Sequence, residues 1–264
     1  MTTLKISLPI RYWDQSPTRK ISATDRHGRT LEVSYFLLAQ FTGLSKHYPL
    51  PLLYSYKSKK LYLPLREKFM SLERGTIYEV GDMTFEGELS QVQKTVDTPM
   101  FYFVYNMANY YHFIYDTLPY LFSYFNEKMI HPDMKLLVSP PEGQDDLYPF
   151  VWDSLSMLGI TRDDVVFLDP EVMYNRVCVS SSLTHNGLSN CPPHRGVFDI
   201  LNSMESDYVG PEKIYISRRT WVHNKKDNIG TDYTERRRCV NEDQVVEIFK
   251  SFGFKEIFCE NLTM

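Results

Sequence analysis

Cysteine is scarce in this chain, and long apolar runs are missing. The 264 residues include four cysteines, and no two of them form a C-x-x-C pair. This spacing favours reduced thiols over a zinc ribbon or a dense disulfide framework, with a single disulfide left open. No run approaches the roughly 18 apolar residues that cross a bilayer, and the first residues lack the apolar core of a signal peptide. The sequence therefore predicts a cytoplasmic protein without a membrane span.

Several motifs that define enzyme classes are also missing. The chain has no G-x-x-x-x-G-K-[ST] loop, no G-x-G-x-x-G loop and no G-x-S-x-G elbow. Their absence argues against a P-loop NTPase, a standard dinucleotide oxidoreductase and an α/β-hydrolase. Neither Asp-x-Asp nor His-x-x-x-His occurs, and the net charge is −4. We therefore predict no metal, no organic cofactor and no nucleic-acid partner.

The chain does carry enough apolar residues for a large core, with 43% hydrophobic and 14% aromatic residues. Residues 1–94 hold short β-leaning runs between turn residues, which predicts a β-rich N-terminal section. Strands alternate with helices over residues 95–210, which predicts an α/β domain with a parallel sheet and helices on its faces. Residues 211–264 contain one strand–helix–strand repeat, too little for a complete nucleotide-binding unit.

Hydrophobic periodicity and turn residues also predict the individual elements of the two α/β units. We expect strands at 100–105, 135–139, 164–168, 176–180, 213–217 and 255–260, and helices at 109–130, 147–158, 195–208 and 241–253. Pro119 predicts a bend or a restart of the first helix near Leu118-Pro119, because proline removes a backbone hydrogen bond. Asn241 followed by Gln244 predicts a capping box at the start of the last helix.

A polar trio follows the strand predicted at 100–105. Asn109, His112 and Asp116 are three and four residues apart, which places them on one face of a helix. The trio lies at the junction between a strand and a helix. An amide, an imidazole and a carboxylate at such a junction are typical of an acid/base site at the edge of an α/β ligand cleft. Surface pairs and structural hydrogen bonds have the same spacing, so both interpretations stay open.

A basic segment lies between residues 213 and 238. It has eight Lys or Arg residues against three acids, in a chain that is acidic overall. Arg218 directly follows a predicted strand, and guanidinium groups bind phosphate oxygens through two parallel hydrogen bonds. The segment suits a diphosphate ligand, and a solvated basic loop is the alternative.

Four motifs, in this order, resemble glycosyltransferase family 61. They are Asn109-x-Tyr-His112-x-x-x-Asp116, Tyr215-Ile-Ser-Arg218, Arg238-x-x-Asn241-Glu242 and Glu260-Asn-Leu-Thr263. The family includes plant-type β-1,2-xylosyltransferases and O-GlcNAc transferases of the secretory pathway. Its members continue past the last motif into a Gln-containing helix and a His-Gly-rich loop, so we expect the C-terminal unit of this chain to be incomplete.

The resemblance implies a GT-B-like architecture, with two Rossmann-like units facing a cleft. A UDP-sugar donor would be held mainly by the second unit, and a glycan or glycoprotein acceptor by the first. Transfer would invert the anomeric centre without a metal, and the missing Asp-x-Asp agrees with this. Xylose ranks ahead of GlcNAc as the sugar, because xylosyl and arabinosyl transfer recur in similar proteins.

On the acceptor side, the resemblance makes Asp116 the base that removes the acceptor hydroxyl proton. His112 would orient Asp116 or contact the donor diphosphate. Asn109 would position the acceptor or the helix.

On the donor side, Arg218 and Arg238 would neutralise charge on the departing diphosphate. Asn241 would either contact the donor or simply cap a helix. Glu242 would reach a ribose or sugar hydroxyl.

Two other functions remain as alternatives. The short second unit raises the hypothesis of a catalytically inactive glycan-binding or scaffold remnant. The basic segment raises that of a phosphate-ester hydrolase, which would release phosphate without sugar transfer and would require a metal.

Overall fold

The computed structural model describes residues 18–20, 30–41, 51–58, 60–63, 68–71, 77–80, 83–86, 91–105, 107, 109–141, 143–184, 192–204, 210–217 and 241–258. The chain divides into two compact units, Met1–Met204 and Glu205–Met264.

The first unit is built on one sheet of ten strands. In chain order, the strands described in this unit are β1 (Thr18–Lys20), β2 (Glu32–Phe41), β3 (Leu53–Ser55), β4 (Lys60–Leu63), β5 (Lys68–Ser71), β6 (Ile77–Val80), β7 (Met83–Glu86), β8 (Lys94–Val96), β9 (Met100–Tyr102), β10 (Lys135–Val138), β11 (Val165–Phe167) and β12 (Val172–Ser180). Strands β6 and β7 pair only with each other, in a separate two-stranded sheet.

The sheet is mixed rather than parallel throughout. Its main path runs β11-β10-β9-β12-β2-β3-β4-β5, with β1 beside β2 and β8 beside β12. The pairs among β8 to β12 are parallel, whereas β2 pairs antiparallel with β12 and the earlier strands pair antiparallel with each other. The predicted parallel sheet is therefore correct for the α/β part only. Pairing of β2 with β12 joins strands from before and after residue 94, and the proposed domain bounds stay a prediction.

Short helices follow three of the parallel strands, β9, β10 and β12. The first is α1 (Tyr110–His112), which continues as a π-helical turn (Phe113–Thr117), a 3-10 turn (Leu118–Tyr120) and α2 (Leu121–Lys128). Next follow α3 (Pro149–Met157) and α4 (Arg195–Ser203). Each lies within the range that the sequence predicted for it.

The predicted interruption of the first helix at Pro119 is confirmed as a change of helix type, and a bend of its axis stays a prediction. Proline has no backbone N–H, so the ordinary α-helical hydrogen bond to a residue four positions back is lost there. The chain widens just before it, where the Leu118 N–H donates to the Phe113 carbonyl five residues back, and then tightens into the 3-10 turn. Such π-turns are often found at functional sites.

The core of the first unit is aromatic and joins the strands of both sections. The Tyr102 ring on β9 stacks on Phe41 of β2 at 5.9 Å and meets Tyr62 of β4 edge to face at the same distance. All three side chains are at most 1% exposed. Aromatic pairs of this kind add about 0.5–1.5 kcal/mol each beyond the apolar area that they bury.

Helix α4 packs closely on α2 at a glycine. A Cβ added to Gly196 would lie 2.7 Å from the Phe122 ring and 2.9 Å from the Leu183 side chain. His194, the residue before α4, caps the helix, because its Nδ1 accepts a hydrogen bond from the Gly196 N–H at 3.0 Å. Only a residue without a side chain allows this approach.

The second unit contains one strand–helix–strand repeat in its described part. Strand β13 (Ile214–Ser217) runs parallel to β14 (Lys255–Phe258), and α5 (Glu242–Ser251) connects them. After α5 the chain turns at Gly253, whose φ of 82° lies in the left-handed region that favours glycine. The strands and the helix match the sequence prediction.

The predicted capping box at α5 is wrong. Asn241 precedes the helix but makes no side-chain hydrogen bond to its backbone. Its ψ is 37°, away from the extended conformation in which a capping side chain points at the first N–H groups. Instead, the Asn241 amide nitrogen donates to Gln244 Oε1 at 3.4 Å.

Candidate functional site

Asn109 and His112 are fixed by the first turn after β9. Asn109 is the N-cap of α1, and its side-chain oxygen accepts a hydrogen bond from the His112 N–H at 3.2 Å. The same turn is closed by the Phe113 N–H, which donates to the Asn109 carbonyl at 2.8 Å. The cap sets the backbone of His112, and so the direction in which its ring leaves the helix.

His112 and Asp116 form a close pair across one turn. His112 Nδ1 lies 2.7 Å from Asp116 Oδ2. The His112 side chain is 47% exposed and that of Asp116 is 23% exposed. Because a carboxylate only accepts hydrogen bonds, Nδ1 carries the proton and donates it, which leaves Nε2 with a lone pair in the neutral ring. The predicted helical face is therefore present, and two of its three polar groups contact each other.

A second segment reaches the same carboxylate. Thr184 Oγ1 donates to Asp116 Oδ1 at 3.2 Å. Thr184 is in turn fixed by Ser182, whose Oγ accepts the Thr184 N–H at 3.1 Å. Both hydroxyl residues are buried. Asp116 thus has hydrogen-bond partners on both oxygens, one from its own helix and one from a distant part of the chain.

The sheet explains why these segments meet. Strands β9 and β12 are parallel neighbours, so their carboxyl ends lie at the same edge. The chain continues from β9 into the Asn109 turn and from β12 into the segment with Ser182 and Thr184. Strand β12 also breaks the chain order of the sheet, since it lies on the opposite side of β9 from β10. Such points in α/β sheets are where ligands bind.

A further hydroxyl contact fixes α2 over the end of β12. Ser123 Oγ on α2 lies 2.6 Å from Ser180 Oγ, the last residue of β12, and both side chains are buried. Because α2 continues directly from the turn that carries Asp116, this contact limits how far the turn can move relative to β12.

Two exposed tyrosines precede His112 on the same helical segment. Tyr110 and Tyr111 are 54% and 63% exposed. The Tyr111 ring stacks on Tyr115 at 5.8 Å and meets the His112 ring edge to face at 5.3 Å. Tyr110 packs edge to face on Phe150 of α3 at 5.3 Å.

In the second unit, Glu242 lies at the start of α5 and is only 8% exposed. Its Oε1 accepts hydrogen bonds from Ser217 Oγ at 2.9 Å and from Tyr215 OH at 3.2 Å. The carboxylate therefore ties the first turn of α5 to the carboxyl end of β13. The two motifs that contain Tyr215 and Glu242 meet here.

The remaining predicted donor residues, Arg218 and Arg238, lie outside the described residues. So do most of the basic segment and the last motif, Glu260-Asn-Leu-Thr263. The described residues bring together Asn109, His112 and Asp116 in the first unit, and Glu242 with β13 in the second.

The sequence prediction missed Ser182 and Thr184. They lie between the strand predicted at 176–180 and the helix predicted at 195–208, where the sequence predicted no element. A signal existed in the run of hydroxyl residues directly after a strand, Ser180-Ser-Ser-Leu-Thr184, since ligand groups follow strand ends in α/β folds. Which strand lies beside β9 is not visible in the sequence.

Within the described ranges, no three His, Cys, Asp or Glu side chains cluster in a way that would hold a metal ion. No described helix has the length and apolar character required to cross a membrane.

Comparison of the chain with protein-family models, with curated proteins and with solved structures gave no match.

Proposed function

We propose that this protein is an inverting, metal-independent glycosyltransferase. It would move a sugar, with xylose ranked first, from a UDP-sugar to a glycan or glycoprotein acceptor. The observation that supports this most is the His112–Asp116 pair, oriented by Thr184 at the shared carboxyl edge of β9 and β12. The reaction class is inferred from the motif resemblance, and the candidate base is inferred from the geometry of the pair.

The reaction requires one proton acceptor. As the acceptor oxygen attacks the anomeric carbon, its proton leaves, and the bond between that carbon and the diphosphate oxygen breaks with its electron pair on the diphosphate. His112 Nε2 is the atom of the pair best placed to take the proton, since Nδ1 faces Asp116 and the ring is half exposed. Asp116 would then fix the tautomer and stabilise the imidazolium, as carboxylates do in other Asp–His pairs. The base role predicted for Asp116 is thereby shared by the pair.

The donor assignment rests on the resemblance. Arg218 and Arg238 would neutralise the departing UDP, as a metal does in other transferases. Ser217, tied to Glu242, directly precedes Arg218, so Glu242 fixes the strand end from which Arg218 departs. This supports a positioning role for Glu242 rather than a direct contact with a ribose hydroxyl.

A panel of nucleotide sugars tests the proposal. The protein is incubated with UDP-xylose, UDP-GlcNAc and UDP-glucose, each with and without EDTA, and free UDP and labelled acceptor are measured. We expect UDP release that survives EDTA and depends on His112. If no UDP is released from any donor, the proposal of an active enzyme is wrong and the glycan-binding remnant is favoured. Release of inorganic phosphate, abolished by EDTA, would favour the hydrolase.

A further inference from the structure

Two stacked tyrosines form an exposed platform beside the His112–Asp116 pair. Tyr111 and Tyr115 lie one turn apart, with their ring planes only 19° from parallel. Tyr111 keeps 63% of its surface exposed, whereas Tyr62, Tyr102, Tyr124 and Tyr174 are among the largest fully buried side chains. The chain therefore has tyrosines that pack in its core, whereas the Tyr111 side chain is mostly exposed and contacts the ring of His112.

As far as the described residues show, the Tyr111 ring makes its aromatic contacts within one helical segment. Its ring contacts are with Tyr115 and with His112, both on its own helix. By comparison, Tyr110 next to it packs on Phe150 of α3 and so helps to hold two helices together. The stacking on Tyr115 gives the Tyr111 ring a fixed orientation without covering its outer surface.

We propose that Tyr111, supported by Tyr115, is a stacking platform for one neutral pyranose ring of the acceptor. This inference rests on the proposed function, because the acceptor hydroxyl must come within hydrogen-bond reach of His112. A sugar ring has one face of C–H groups, which the negative face of an aromatic ring attracts, and an edge of hydroxyls. A ring stacked on Tyr111 would place its edge beside His112, whose ring centroid is 5.3 Å from that of Tyr111.

The Asp116 carboxylate beside the platform should favour neutral sugars over acidic ones. His112 Nδ1 lies 2.7 Å from the Asp116 carboxylate. A uronic acid stacked on Tyr111 would bring a second carboxylate close to Asp116, and like charges repel. Neutral sugars such as xylose or N-acetylglucosamine avoid this repulsion. The platform should therefore distinguish neutral from acidic glycans of equal length.

Binding without a donor tests the platform directly. The probes are β-1,4-xylotetraose, β-1,4-linked tetra-N-acetylglucosamine and tetragalacturonic acid, titrated calorimetrically into the full chain. We expect at least one neutral probe to bind and the acidic probe to bind at least tenfold more weakly. Tyr111→Ala should weaken the neutral probe about tenfold, and Tyr111→Phe should keep its affinity because the ring remains.

Two further variants secure the interpretation. Phe198→Ala removes another exposed ring, 53% exposed on α4, and should leave binding unchanged. Tyr111→Leu keeps the apolar bulk without an aromatic face, and it replaces Tyr111→Ala if that variant does not fold. The platform is overturned if no neutral probe binds the parent chain, if Tyr111→Ala and Tyr111→Leu bind as the parent does, or if Phe198→Ala loses the same affinity.

The two proposals fail in different ways. Glycan binding that depends on Tyr111, without UDP release from any donor, overturns the proposed function and leaves the platform in place. UDP release with an unchanged KM for the acceptor in Tyr111→Ala overturns the platform and leaves the transferase in place.

Discussion

Two carboxylates follow parallel strands in this protein, and their surroundings differ. Asp116 lies on the helical turns after β9, and its side chain is 23% exposed beside a half-exposed histidine. Glu242 lies at the start of α5 after β13, is 8% exposed and accepts two hydroxyl hydrogen bonds. A carboxylate in the helical segment after a strand is thus a partly exposed, histidine-paired acid in one unit and a buried acid held by hydroxyl groups in the other.

The difference shows why residue type and position are not enough to assign chemistry. The role proposed for the Asp116–His112 pair needs access for a substrate and a nitrogen that can take a proton, and the half-exposed His112 ring offers both. A carboxylate that is buried among hydroxyl donors stabilises the conformation that supplies them. Four predictions test this contrast, in order of decreasing effect.

Asp116→Asn should affect activity far more than stability. The amide cannot stabilise an imidazolium, so we expect kcat to fall about 10²–10⁴-fold, the usual contribution of general base catalysis. Nucleotide-sugar binding should persist. UDP release is measured together with the urea midpoint of unfolding, and Asp163→Asn, at an exposed carboxylate on another segment, is the control. A midpoint that collapses along with activity would make Asp116 a structural acid like Glu242.

Glu127 is a fully buried acid in the same unit as the partly exposed Asp116. Its side chain on α2 is fully buried, the Tyr35 hydroxyl donates to Oε2, and burial raises its pKa to about 8. The unfolded chain ionises near pH 4.5 while the folded protein stays protonated, so the free energy of unfolding should fall as pH rises from 4.5 to 8. The expected loss is about 1.4 kcal/mol per pH unit in that window.

Glu127→Gln should remove this slope and raise stability at pH 7.5, because the amide keeps the hydrogen bond from Tyr35 and never ionises. Urea unfolding at pH 5, 6, 7 and 8 measures the slope. Asp163→Asn should keep the parental slope. An unchanged slope in Glu127→Gln would show that Glu127 ionises normally in the folded protein.

Glu242→Ala should destabilise the second unit by about 1–3 kcal/mol, since it leaves the hydroxyls of Tyr215 and Ser217 without their shared acceptor. Hydrogen exchange of amides in β13 and α5 measures the loss. Glu247→Ala, at an exposed position on the same helix, is the matched control. Equal hydrogen exchange in both variants would show that the Glu242 hydrogen bonds make no net contribution to the stability of the second unit.

Thr184→Val should have the smallest effect on activity, about three- to tenfold, because it removes one hydrogen bond and keeps the shape of the side chain. The lost donor makes Asp116 a stronger acceptor for His112, so the acidic limb of the kcat/KM profile should move to higher pH. Thr184→Ser, which restores the hydroxyl, should restore the profile. If the pH dependence of kcat/KM in Thr184→Val matches that of the parent, Thr184 contributes to packing only.

The local elements were predictable because local sequence dictates them. Proline removes a hydrogen bond wherever it lies in a helix, and the regular α-helix is interrupted at Pro119. Gly253 ends α5 with a positive φ that other residues rarely adopt. The capping box at Asn241 failed for a different reason. Its motif is local, but the backbone angle that makes the side chain point inwards depends on how the chain arrives at the helix.

By itself, the sequence determined the helical face of Asn109, His112 and Asp116, because spacing along a helix fixes which residues are neighbours. Tertiary structure decided what that face does. It placed β12 beside β9 and so brought Thr184 to Asp116, and it buried Glu242 against β13 while His112 stayed exposed. Contacts between residues 68 positions apart depend on strand order, which many segments settle together and no single motif encodes.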